Sequence, residues 1–141
     1  VLVCFDSSAL VKLLVDEEGS EAVVRLWDAA DAVIASRLVV PEVRAALEAA
    51  TRASRLRPVQ LRQALDAWRD YAAALRMVEV TATLAQSAAE LTGRLVLGGA
   101  DAVHLASALA LSDGRPVLAA FDSRLRAAGL AVGLRLAPAD R

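Results

Sequence analysis

The chain of 141 residues contains one cysteine, one histidine and one lysine. A lone thiol cannot close an internal disulfide, so Cys4, set in an apolar run, reads as a core residue of a reducing compartment. Aromatic residues make up 4% of the chain, too few for a platform on which successive bases stack. No apolar run reaches the roughly 20 residues needed to span a bilayer. The opening residues, Val-Leu-Val-Cys-Phe-Asp, carry no basic leader, which predicts neither signal peptide nor anchor and a cytoplasmic protein. An excess of one charge is missing as well: the formal net charge is −1, which supplies no overall attraction to nucleic acid.

What is present is apolar mass. Hydrophobic residues make up 57% of the chain and charged residues 23%, which predicts one compact domain over residues 1–141. A chain of this size buries roughly two-thirds of the surface that its unfolded form exposes. Apart from Lys12, every basic residue is an arginine. Arg52, Arg55, Arg57 and Arg62 follow one another with no intervening acid, either as a solvated helical face or as a patch that contacts phosphates.

Periodicity alternates between short apolar runs and helical stripes. Residues 1–5 read as a strand buried on both faces, ended by Asp6. Asp6-Ser7-Ser8 supplies cap chemistry for a helix through Leu10, Leu13 and Leu14. After Gly19-Ser20 a second helix carries Val23, Val24 and Trp27, and a strand follows over residues 32–35. The next helices run through Val40, Val43, Leu47 and Ala50, with Pro41 near the start, and from Pro58 through Leu61, Leu65, Trp68 and Ala72. A strand at 77–80 precedes a helix capped by Thr81 or Thr83 and carrying Leu84, Ala88 and Leu91. Gly98-Gly99 breaks the chain before a helix that starts at Asp101. Residues 117–121 form a strand ended by Asp122, a short helix closes at Gly129, and residues 132–136 are a candidate last strand. The tail at 138–141 is expected to be loosely held. The alternation predicts a three-layer α/β domain with a central, mainly parallel sheet flanked by helices.

Two acids end apolar runs, Asp6 after Leu-Val-Cys-Phe and Asp122 after Leu-Ala-Ala-Phe. Taken singly, each is well read as a helix N-cap. At neighbouring ends of a parallel sheet, however, both would face the crevice in which ligands bind. Asp101 stands behind a glycine pair that lets backbone approach closely, at the start of an otherwise uncharged helix where the dipole favours a carboxylate. Glu42 borders the stripe of Val39, Val43 and Leu47 and needs a partner there, with a salt bridge to Arg44 or Arg37 as the plain structural alternative. Four carboxylates in one cleft repel one another, and a divalent cation relieves that repulsion. Oxygen-only donors suit Mg²⁺ or Mn²⁺, which keep waters for a substrate phosphate and support hydrolysis of phosphodiesters.

In order, the segments Phe5-Asp6-Ser7-Ser8-Ala9-Leu10-Val11-Lys12, Pro41-Glu42-Val43-Arg44, Ala100-Asp101-Ala102-Val103-His104 and Phe121-Asp122-Ser123-Arg124 resemble the four acidic motifs of PIN-domain nucleases. The resemblance is to the VapC-type toxins of type II toxin–antitoxin pairs, and it covers essentially the whole chain. It implies a PIN fold, an endoribonuclease dependent on Mg²⁺ or Mn²⁺, a homodimer, and neutralisation by a VapB-type antitoxin whose C-terminal segment lies along the active-site groove. On the matching positions it implies that Asp6, Glu42, Asp101 and Asp122 bind metal and act in catalysis, with Ser7 as a supporting hydroxyl. Many relatives carry Thr or Ser two residues before the last acid. This chain has Ala120 there, with Ser123 or Ser36 as substitutes.

His104, three residues after Asp101, either tunes that acid, donates a proton, or is a hydrogen-bonded core residue. Trp27, Trp68 and Tyr71 read as core or interface groups. Two other functions compete with the nuclease. An aspartate-dependent phosphoryl-transfer domain would need a late lysine or a second acid at position 8, where Ser8 stands. A catalytically inactive PIN-fold binding module would have no use for all four acids. The apolar early helices, including Leu10, Leu13, Leu14, Val23, Val24 and Trp27, either pack on the sheet or receive a partner helix.

Overall fold

A computed structural model of the chain describes residues 1–111 and 114–139. The strands are β1 (Leu2–Phe5), β2 (Ala32–Ser36), β3 (Arg76–Val78), β4 (Val117–Ala119) and β5 (Arg135–Ala137). The helices are α1 (Ser7–Leu14), α2 (Ser20–Ala29), α3 (Val39–Arg52), α4 (Pro58–Ala74), α5 (Ala82–Arg94), α6 (Gly99–Leu109) and α7 (Ser123–Ala131). The sheet has the order β3-β2-β1-β4-β5, and all four pairings are parallel. The chain steps outward from β1 through β2 to β3, then returns to the other side of β1 for β4 and β5. The order therefore reverses between β1 and β4, and crevices for ligands form at such switch points, outside the carboxyl ends of the strands.

The pleat sorts the strand residues onto two faces. Val3, Phe5, Ala35, Val117 and Ala119 join a core with residues of α1 to α4, including Leu10, Val43, Leu47 and Trp68. Their neighbours Cys4, Ile34, Leu118 and Ala120 face a second core with residues of α5 to α7, including Leu91, Leu105 and Leu125. Both faces are covered, which is why the strands read as unbroken apolar runs rather than alternating ones. Phe5 meets Trp27 at a centroid separation of 5.3 Å, and Trp27 meets Tyr71 edge-on at 5.0 Å, so these rings tie β1, α2 and α4 together. Trp68 is buried in the same core. Cys4 lies fully inside, where burial and the nearby Asp6 push its thiol up to about 12.

Several expectations shift at their edges. β4 ends at Ala119 rather than at residue 121, because Phe121 leaves the ladder to lie under Lys12, whose Nζ is 4.6 Å from the ring centroid. Gly129 does not end α7. An added Cβ there would stand 3.0 Å from methyl groups of both Leu118 and Leu136, so the glycine serves close packing inside the helix. The stop is Gly133, at φ +85°, where Gly133 N–H donates to Leu130 and Leu134 N–H to Gly129, a Schellman arrangement. The last strand accordingly starts at Arg135 instead of residue 132. The expected loose tail at 138–141 falls partly outside the described residues.

Candidate active site

Asp6 follows β1 directly, and its own N–H donates to the Ala119 carbonyl at 3.1 Å, tying it to the end of β4. Its side chain caps α1: Oδ1 accepts from the Ala9 N–H at 2.9 Å. The Ser8 hydroxyl lies 2.8 and 2.9 Å from the two carboxylate oxygens. Only 4% of Asp6 is exposed. Burial drives its carboxyl up from the ordinary aspartate value. The bonds from Ala9 and Ser8 and the charge of His104 oppose that rise, and Asp101 adds to it.

Asp122 caps α7 in the same manner, with Oδ1 receiving the N–H groups of Arg124 and Leu125, each at 3.0 Å. It is exposed, and both cap bonds fall on one oxygen. Asp101 is not the first residue of α6 as expected. Gly98 is the N-cap, and Asp101 sits two positions into the helix from Gly99, still in the first turn where the dipole favours it. Among the described residues nothing within 4 Å would meet a Cβ on Gly98 or Gly99, so none of them makes a close approach at the glycine pair. Burial raises the Asp101 carboxyl, with the charge of Asp122 next; His104 opposes and Glu42 adds.

Glu42 lies in the first turn of α3, half-buried beside Val39 and Val43. Neither arginine proposed for it is its partner: Arg44 pairs with Glu48 at 2.7 Å and Arg37 with Glu79 at 2.6 Å. Glu42 instead faces His104, with Nε2 2.6 Å from Oε1. That hydrogen bond is the main reason its carboxyl is held below the usual glutamate value; burial opposes, and the imidazole charge and the Ser7 hydroxyl help. His104 is therefore a hydrogen-bonded core residue, and its bond is to Glu42, one of the four candidate acids. The sequence offered α-helical proximity to Asp101 as the clue and carried no signal for Glu42, which lies 62 residues away in the chain. Ser36 is buried and its Oγ receives the Leu38 N–H, while Ser123 is exposed.

The four acids thus come from α3, α6 and the turns after β1 and β4, and their charges act on one another. Asp6 responds to Asp101, and Asp101 to both Asp122 and Glu42. Among the described residues neither Asp6, Asp101 nor Asp122 has an ion-pair partner, and His104 is the basic group facing the cluster. The donor set is all carboxylate, which fits a hard divalent cation. Among the described residues no three His, Cys, Asp or Glu side chains are grouped closely enough to hold a metal ion together. Mg²⁺ does not require three, since it binds through one or two carboxylates and keeps several waters.

Elsewhere, Arg52, Arg55, Arg57 and Arg62 are all exposed at the end of α3, in the following loop and on α4. A groove of about 730 Å³ between α3 and α4 is lined by Arg44, Arg62, Arg69 and Trp68. The apolar early helices mostly pack inward: Leu10 and Val23 are buried, while Val24 is 39% exposed. Among the described residues no helix is long and apolar enough to cross a membrane.

Comparison with known proteins places this geometry in context. The PIN domain family matches residues 3–130. The chain is 52% identical over 139 residues to ribonuclease VapC45 of Mycobacterium tuberculosis (strain CDC 1551 / Oshkosh), covering 99% of this chain and 96% of that protein. Its fold matches the crystal structure of M. tuberculosis VapC20, described as a sarcin-ricin loop cleaving toxin, with a TM-score of 0.68 and 24% identity over 90% of this chain and 95% of that one. It also matches VapBC2 of Rickettsia felis, solved bound to a fragment of its promoter DNA, with a TM-score of 0.64 and 14% identity over 96% and 97% of the two chains.

Proposed function

The chain belongs to the PIN-domain family, and from that premise we propose that it is a divalent-metal-dependent endoribonuclease. In this reading it is the toxin of a toxin–antitoxin pair, acts in the cytoplasm, and is neutralised by a VapB-type antitoxin. The observation that carries the reading is that Asp6 and Asp122 directly follow β1 and β4, neighbouring parallel strands at the switch point of the sheet, with Asp101 within electrostatic reach of Asp6, Asp122 and Glu42. The likeness to a named ribonuclease over nearly the whole chain supports the choice of substrate.

Asp6, Asp101, Glu42 and Asp122 would hold Mg²⁺ or Mn²⁺. When bound, the cation would lower the pKa of a water and offset the charge that develops on the scissile phosphate. The protein's own part is to hold acids that repel one another. Two backbone N–H groups fix Asp122 through Oδ1, which leaves Oδ2 outside the cap. Ala9 and Ser8 fix Asp6, and the first turn of α6 places Asp101. Burial of Asp6 keeps bulk water from screening the cluster on the sheet side. Arg62 in the α3–α4 groove, beside Arg44 and Arg69 that pair with Glu48 and Asp66, offers a position for an RNA phosphate away from the four candidate acids. A homodimer and an antitoxin whose C-terminal segment follows the active-site groove complete the proposal.

The test is cleavage of RNA by purified wild type and by Asp6→Asn, with Mg²⁺ or Mn²⁺ and with EDTA. Metal-dependent cleavage that Asp6→Asn abolishes is expected. Equal cleavage by both proteins, or cleavage in EDTA, would refute the mechanism. Co-purification of a small antitoxin expressed from a neighbouring reading frame tests the pairing.

A further inference from the structure

His104 is the only histidine of the chain, and its ring lies inside the protein with 3% of the side chain exposed. Nε2 is 2.6 Å from Glu42 Oε1, whereas Nδ1 is buried without a hydrogen-bond partner among the described residues. Burying a polar atom without a partner is costly. Ala102, Leu105 and Ala108 of the same helix belong to an apolar core. A methionine or leucine would fill the same space with no orphaned nitrogen, so packing alone does not account for an imidazole. An ionised carboxylate can only accept, so across the 2.6 Å contact Nε2 carries the hydrogen and donates. Glu42 sits on α3 and His104 on α6, elements that pack on opposite faces of the sheet, so this one bond joins the two helical layers at the site. The Ser7 hydroxyl adds a second contact from α1.

We propose that His104 is a positioning residue: its Nε2–H fixes one oxygen of Glu42 and thereby sets the direction in which that carboxylate faces the acid cluster. The inference rests on Glu42 being a site carboxylate, as in the reading above. Groups that orient a metal-binding carboxylate affect affinity or activity by about 10- to 100-fold when removed. His104 does not touch the substrate in this proposal. It acts through Glu42.

Three substitutions separate positioning from packing. His104→Met fills the space without a donor, and His104→Asn places its amide too near the backbone to reach Glu42. His104→Gln carries its amide nitrogen about as far out as Nε2. Binding of Mn²⁺ to the full-length protein, read from the electron paramagnetic resonance of free Mn²⁺, should weaken about 10-fold or more in His104→Met and His104→Asn. Binding should recover in His104→Gln. RNA cleavage should show the same order in kcat with KM for RNA unchanged. Full Mn²⁺ affinity in a folded His104→Met, or Gln as impaired as Met, would overturn the proposal.

A measurement on the native ring covers the case in which these variants do not fold. With ring-¹⁵N histidine the chain gives a single spin system, and Glu42→Ala should shift the Nε2 resonance. An unchanged Nε2 signal would overturn the assignment. Failure of the wild type to bind Mn²⁺ or cleave RNA would instead refute the metal-dependent nuclease, and with it this inference, while a shift of Nε2 would still show the Glu42–His104 bond.

Discussion

Replacing Asp6 by asparagine should stabilise the protein while it removes activity. Asp6 has two effects on folding, of opposite sign. As a cap it satisfies the Ala9 N–H at 2.9 Å, and losing an Asp or Asn cap to alanine costs about 1 kcal/mol. As a charge it is buried to 4% exposure with Asp101 nearby, and its folded-state pKa is raised. A raised carboxyl takes up more protons folded than unfolded, so stability falls as pH rises from the ordinary aspartate value of 3.8 through the folded value. Above that the penalty is complete. Asparagine keeps the accepting oxygen and drops the charge; alanine drops both. In EDTA at pH 7, the melting temperature should therefore rank Asp6→Asn above wild type. Asp6→Ala should fall below Asp6→Asn by the cap, roughly 3–4 °C for a domain of this size. Near pH 3 the Asn variant should lose its advantage. At pH 7 without EDTA, saturating Mn²⁺ should raise the wild type alone, by about 2.7 kcal/mol at a hundredfold excess over Kd. Scanning calorimetry from pH 3 to 8 reads all of this. If Asp6→Asn melts at or below the wild type at pH 7 in EDTA, the buried carboxylate is not under the electrostatic load argued here.

The other predictions concern separate parts of the molecule. Glu42 has a lowered pKa, so its contribution to stability is present above the ordinary value of 4.5 and is lost as pH falls through the folded one; the acid limb of a stability–pH curve should be shallower in Glu42→Gln. Asp122→Asn should keep the α7 cap and the melting temperature but lower cleavage, whereas Asp122→Ala should lower both. Gly19→Ala should cost about 1–3 kcal/mol in urea unfolding, because the residue sits at φ +90° and its Cβ would come 2.9 Å from the Phe121 ring. Cys4, pushed up to about 12, should be inert to thiol reagents at pH 8 until the protein is unfolded.

The layer architecture was legible because its determinants are local. Runs such as Val3-Cys4-Phe5 and Val117-Leu118-Ala119 are apolar on both faces of the pleat, and cap residues such as Asp6 and Thr81 mark where helices begin. The errors fall where a distant contact overrides the local signal. Gly129 looks like a helix stop, yet Leu118 and Leu136 press on its Cα side and keep the glycine within α7. Phe121 continues an apolar run, yet Lys12 and Gly19 draw it off the strand. Likewise Glu42 is flanked by arginines that find nearer acids in Glu48 and Glu79. Its partner, His104, belongs to another layer, and no spacing rule within one helix connects them.

For Asp6 and Asp122, capping and membership of a site looked, from the sequence, like a choice between two explanations. The geometry lets each do both. A cap needs a single carboxylate oxygen, and Asp122 gives only Oδ1 to Arg124 and Leu125. Asp6 gives Oδ1 to the Ala9 N–H, while the Ser8 hydroxyl reaches both of its oxygens. The N–H groups at each helix start favour a negative charge, which offsets part of the repulsion among the four acids. Because α1 follows β1 and α7 follows β4, and these strands are neighbours at the switch point, two caps necessarily open on the same crevice. Capping thus lowers the cost of assembling the cluster. A substitution that preserves the cap, such as Asp to Asn, is therefore the one that isolates the charge.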